Sequence, residues 1–206
     1  MTHEPNRKDS ALNLERTVYF SDAVIAIALT LLALELPVPR DWPGFVEHLG
    51  KEYFAFAISF AVIATFWFRH HQLFQMLSRV DTPLILANLL SLFAVVVVPY
   101  AAKALPESEH ASSFGAVIYA STMVLWAIAY VLMVLAAKRG QLWRSQIAPG
   151  TPFNMIFGAC AALGTFAASI PIAFYSPGLA EYTWLLIPVV ATAADRIRRR
   201  VRPRAA

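Results

Sequence analysis

A guanidinium, a hydroxyl and a carboxylate stand at the mouth of an apolar run. Arg16, Ser21 and Asp22 lead directly into Ala23, Val24, Ile25, Ala26, Ile27, Ala28, Leu29 and Thr30. Ionisable groups in membrane-spanning helices are expensive, and they face a protein interior or a water-filled path. Such a set suits either contact with a cation or the bracing of one helix against another. A second polar cluster, Trp67, Arg69, His70 and His71, closes the second apolar run. Imidazole titrates near physiological pH and can carry protons. The indole offers one N–H donor.

The elements that must position these groups are membrane helices. The chain has 206 residues, 58% of them hydrophobic and only 15% charged, against roughly a quarter charged in soluble domains. Its mean hydropathy is +0.56. From Ser145 to Ala180 there is no Asp, Glu, Lys or Arg. A spanning helix needs about 20 largely apolar residues. The runs Thr17–Leu36, Tyr53–Phe68, Thr82–Ala104, Ser112–Ala137, Phe153–Tyr175 and Leu179–Ala194 are the six candidates. The fold class expected is therefore an all-α polytopic membrane protein with six transmembrane helices. The sixth run is short and contains Pro188, so a re-entrant or interfacial helix is the alternative there. The organisation expected is an N-terminal arm over 1–16, a transmembrane domain over 17–195 and a basic tail over 196–206. The polar opening residues, with no small-residue cleavage site after the first run, predict that this run is retained. Cys160 stands alone in the fifth run and is expected to be a buried packing residue.

Charge sets the orientation. Of the 17 basic residues, all but Arg40, Lys51 and Lys103 fall on the side that holds both termini. The opposite loops carry Glu35, Asp41, Glu47, Glu52, Glu107, Glu109 and Glu181. The positive-inside rule places both termini in the cytoplasm. The tail arginines, Arg196 to Arg204, are what topology and anionic headgroups produce, so no nucleic-acid partner is expected.

The first run is the least lipid-like. Only a dozen uncharged residues separate Asp22 from Glu35. At ~100° per residue, Phe20, Ala23, Ile27, Thr30, Leu31 and Leu34 form one stripe, with Asp22 nearly opposite. If the Ile27 stripe faces a path for ions, Asp22 faces the rest of the protein. A ring of Ile and Leu side chains can gate by dewetting, and Thr30 hydroxyls can replace part of a cation's hydration shell. The same stripe also fits ordinary helix packing.

Adjacent antiparallel helices bring Ser21 and Asp22 to the depth of Trp67, His70 and His71. Asp22 then accepts from an imidazole or from Arg16, Ser21 bridges, and Trp67 donates its indole N–H. Three alternatives stand beside this: interfacial histidines without a role, proton carriage with Asp22, and a metal site. Neighbouring histidines on a helix point ~100° apart and no further cluster joins them, so no metal is expected. Asn88 and Ser91 suit hydrogen bonds between helices, and Gly158 and Gly164 suit close packing. No Walker loop, GxSxG elbow, HExxH, dinucleotide fingerprint or TVGYG filter is present. An enzyme would lack a recognisable catalytic set, and no cofactor is implied.

Arg16-x-x-x-Phe20-Ser21-Asp22, at the head of the first span, resembles the R-x-x-x-F-S-D signature of the transmembrane protein 175 family of potassium channels. Trp67-x-x-His70-His71 resembles that family's second conserved patch. The resemblance implies a single-repeat, bacterial-type subunit of a homotetramer in the inner (plasma) membrane, with the first helix lining a central pore. It implies that Ile27 forms the constriction and that Thr30 and Leu34 continue the pore stripe, which also holds Ala23. It implies a bracing network of Arg16, Ser21, Asp22, Trp67 and His70, with Phe20 and His71 in the same motifs. Potassium would be the permeant ion, and lipids the surroundings. A proton channel or proton-coupled transporter using Asp22 with His70 and His71 is the alternative function.

Overall fold

Hydropathy and capping residues account for most helix limits. The computed structural model describes residues 7–49, 52–105, 112–148 and 150–184. Seven helices follow in order: α1 Arg7–Leu34, α2 Trp42–Leu49, α3 Glu52–Gln75, α4 Thr82–Lys103, α5 Ser112–Arg139, α6 Thr151–Tyr175 and α7 Pro177–Trp184. Five of them, α1, α3, α4, α5 and α6, are long and apolar enough to cross a membrane. The sixth expected span, Leu179–Ala194, begins in α7 and lies outside the described residues beyond Trp184, as does the 196–206 tail.

Two limits differ from expectation because hydropathy marks only the lipid-embedded part of a helix. α1 begins at Arg7, well before the apolar run, and α3 continues past Phe68 to Gln75. Pro37 and Pro39 follow α1, and proline cannot continue a helix. The short α2 was not anticipated. Asp41 starts it, its Oδ1 accepting from the Gly44 N–H at 2.8 Å. Asp81 caps α4 in the same way, accepting from the Leu84 N–H at 2.9 Å. Pro99 and Pro171 lie inside α4 and α6 without ending them; neighbouring helices make such breaks tolerable.

α1, α3 and α4 pack against one another, and α4, α5 and α6 pack in sequence, with α7 against α5 and α6. The first turn of α5 requires glycine where it meets the end of α4. A Cβ on Gly115 would overlap the Ala104 carbonyl. Gly164 differs from expectation: among the described residues nothing lies within 4 Å of where its Cβ would be. Cys160 likewise is exposed, because α6 buries Met155, Ala159, Phe166, Ser169 and Ala173, a face that position 160 misses.

The two ends of the bundle are tied differently. At one end Lys103 Nζ meets Glu35 Oε2 at 2.8 Å, joining the ends of α1 and α4. That pair is exposed and worth at most ~1 kcal/mol. At the other end the α3–α4 and α5–α6 loops form a clasp. Leu77 and Trp143 make an antiparallel bridge, and the Ser78 N–H donates to the Leu142 carbonyl at 2.8 Å. Arg144 donates through its backbone N–H to Met76 O at 2.9 Å and through Nε to Leu77 O at 3.0 Å. Gln141 enters the left-handed region at φ 50° to make the turn.

Candidate ion path and its bracing network

α1 presents two opposite faces. Ser21, Ile25, Ala28 and Leu32 are buried against α3 and α4, at the three- and four-residue spacing of a helix. Ala23, Ile27, Thr30, Leu31 and Leu34 are exposed, Ile27 at 58% of its surface and Leu34 at 79%. Phe20 also points outward, at 54%. The Ile27 stripe therefore has no cover among the described residues of its own chain, while Asp22 is half-buried on the other side. The Thr30 hydroxyl donates back to Ile27 O at 2.8 Å. That bond uses its hydrogen and leaves its oxygen lone pairs free.

Two polar groups of α1, Ser21 and Asp22, are engaged by neighbouring helices of the subunit. Trp67 Nε1–H on α3 donates to Asp22 Oδ1 at 2.9 Å. Ser21 donates to Thr17 O at 2.8 Å, so its oxygen is free to accept from Asn88 Nδ2 on α4 at 2.9 Å. Asn88 Oδ1 in turn lies 2.8 Å from His70 Nε2 on α3. An amide oxygen only accepts, so His70 carries its proton on Nε2. Its Nδ1 is buried without a hydrogen-bond partner among the described residues. The three bonds close a triangle among α1, α3 and α4.

The sequence placed these residues together but assigned some partners differently. Asp22 accepts from the Trp67 indole, not from an imidazole. Arg16 is exposed and makes no bond to Asp22. His70 turns toward α4 and stacks on Phe74, ring centres 4.3 Å apart. His71 stacks instead on Trp67 at 5.1 Å and accepts from Gln75 Nε2 at 2.8 Å. Both shifts have one cause: residues 70 and 71 point ~100° apart on a helix, so they cannot serve one site. Asn88 is the member that sequence reasoning left out of the cluster. Its signal was a carboxamide amid the apolar residues of the third span, and such residues act as interhelical glue. Bonds of this kind average ~0.6 kcal/mol and reach ~1.7 kcal/mol in membranes, so three of them fix helix rotation more than they add stability. Among the described residues no group of three metal-ligating side chains occurs.

A sequence model of the endosomal/lysosomal potassium channel TMEM175 matches residues 16–99, the segment that holds the whole network. A potassium channel of Streptomyces collinus is 37% identical over 174 residues, covering 80% of this chain and 84% of its own length.

The chain belongs to the TMEM175 family.

The human endosomal/lysosomal proton channel TMEM175 is 34% identical over 112 residues, 48% of this chain and 21% of the human one. The crystal structure of a lysosomal potassium-selective channel TMEM175 homolog from Chamaesiphon minutus superposes with a TM-score of 0.72 at 27% identity, covering 88% of this chain and 97% of that one. TMEM175 proteins are ion channels, and this member is an all-α, multi-pass membrane protein.

Proposed function

We propose that this chain is one subunit of a potassium-permeable cation channel, a homotetramer with four copies of α1 around a central pore. Ile27 forms the constriction, with Ala23, Thr30 and Leu34 along the same wall. The observation that carries the reading is the division of α1 into two faces. Ser21 and Asp22 at the mouth are spent on α4 and α3, while an apolar stripe with one hydroxyl is left facing away from the subunit. The names of the bacterial relatives and the fold of the Chamaesiphon channel support the same ion. Both termini lie in the cytoplasm, and the channel sits in the plasma membrane. It needs no cofactor and performs no enzymatic step; potassium is cargo.

The test is flux in liposomes loaded with potassium, sodium or a pH gradient. Purified wild-type protein is expected to dissipate a potassium gradient, with a reversal potential away from that of chloride. A confirmed tetramer without any cation flux rejects the reading. Asp22 adds a second check. Changing Asp22→Asn keeps an acceptor for Trp67 but removes the charge, and charge-assisted bonds are roughly twice as strong as neutral ones. The variant is expected to lose tetramer yield or thermal stability while its potassium-to-sodium preference stays within about twofold of wild type, a change of ~0.4 kcal/mol. A clean change of preference in an intact tetramer would make Asp22 part of the ion path.

Proton permeation is the second reading, and the name of the human relative favours it. A relay through Asp22, His70 and His71 would need these groups to be linked. In the subunit Asp22 is engaged by Trp67, His70 by Asn88 and His71 by Gln75, which weighs against that route. Proton flux abolished by His70→Ala, with assembly intact, would restore it.

A further inference from the structure

A cleft runs between α3 and the α5–α6 pair on the side of α3 away from Asp22. Its volume is about 440 Å³, and its walls include Ile58, Ala61, Phe66, Gly158, Ala162 and Phe166. The floor is the aromatic column Phe66–Trp126–Tyr130, with ring centres 3.7 Å and 5.3 Å apart. Thr65 also lines the cleft but turns its hydroxyl onto Ala61 O at 2.8 Å, so little polar surface remains in the body of the cleft. The exception is at one end. Arg69 lines that end, its guanidinium lying over Gly158, where an added Cβ would be 3.6 Å from Nη1. Among the described residues Arg69 has no carboxylate partner.

We propose that this cleft binds an anionic phospholipid, one acyl chain lying between α3 and α6 and the phosphate seated on Arg69. Length and charge both fit that occupant. The stretch of α3 from Ile58 to Arg69 is ~16 Å long at ~1.5 Å per residue, about half of a ~30 Å hydrocarbon core, so the cleft spans one leaflet. An acyl chain fills an apolar slot of that length, and the guanidinium sits where a headgroup phosphate lies. An arginine fork matches phosphate bidentately, and an unpaired cation beside an apolar slot selects an anionic head over a zwitterionic one. The proposal rests on α3, α5 and α6 spanning the bilayer and not on the ion path.

The test uses the purified full-length chain in detergent, incubated with phosphatidylglycerol or with phosphatidylcholine of the same acyl chains and read by native mass spectrometry. Wild type is expected to retain phosphatidylglycerol about fivefold better, the factor one arginine near a headgroup supplies. Arg69→Gln should erase that preference and Arg69→Lys keep most of it. The tail arginines are common to all three proteins, so they cancel in the comparison. Ala162→Phe, which fills the slot, should lower retention of both lipids. Equal retention of the two lipids by wild type, or a preference that survives Arg69→Gln, overturns the proposal. So does a photoreactive group at position 162 that cross-links to residues 185–194 instead of to lipid, since the chain itself would then occupy the cleft.

Discussion

Ile27→Ala is expected to raise potassium flux by about tenfold, the equivalent of ~1.4 kcal/mol taken off the barrier. The argument starts from the side chain. In the tetramer proposed above, a sec-butyl group from each of four subunits would make a narrow apolar ring that water leaves readily, and a dry ring excludes ions because they would cross it without hydration. Truncation to methyl widens the ring and lets water remain. The same change costs the subunit little stability, because Ile27 is 58% exposed in the chain and truncation there opens no internal cavity. Discrimination between potassium and sodium should fall at the same time, since a hydrated ion then passes without shedding water. The measurement is liposome flux of both ions beside thermal unfolding of the tetramer. Flux unchanged in a stable tetramer would move the constriction elsewhere on α1, with Leu34 the next residue to truncate.

Asn88→Ala is expected to be the most damaging single change to the bracing network, costing about 2–4 kcal/mol. Asn88 is 1% exposed and serves two helices at once. Its loss leaves the His70 Nε2–H buried without an acceptor, and an orphaned buried donor costs ~1–3 kcal/mol. The vacated volume adds a smaller cavity term. Ser21→Ala should cost less, because Ser21 donates only to Thr17 O on its own helix and its removal leaves one Asn88 N–H unpaired. Thermal unfolding of the detergent-solubilised protein checks the order. Coupling between the two sites, read from the double variant, is expected to be larger than measurement error. Additive losses would mean that the Asn88–Ser21 bond does not operate in the assembled protein.

Much of this was legible in the chain because it depends on one segment at a time. The five long apolar helices follow from the transfer cost of their own residues. The separation of Asp22 from Ile27 follows from the helical period alone, and the subunit keeps it: Ile27 is exposed and Asp22 turned inward. The depth match of Asp22 with Trp67 needed only the antiparallel order of α1 and α3, and their hydrogen bond bears that out. The R-x-x-x-F-S-D and W-x-x-H-H patterns sufficed to point to the TMEM175 family.

What the sequence left open depends on several helices at once. Arg16 and the two imidazoles were equal candidates for Asp22 until the rotation of α3 gave that place to Trp67. Asn88 looked like one more polar residue in a span until α4 was seen between Ser21 and His70. Nothing local marks Leu77 and Trp143 as a pair, since their loops are far apart in the chain and meet only because α3, α4 and α5 are packed. Cys160 was expected inside and lies outside, because a uniformly apolar helix such as α6 does not declare which face its neighbours cover. Hydropathy and periodicity are properties of a single helix and survive without the fold. The rotation and depth of each helix against two others are set by packing, and they decided which of the polar groups became partners.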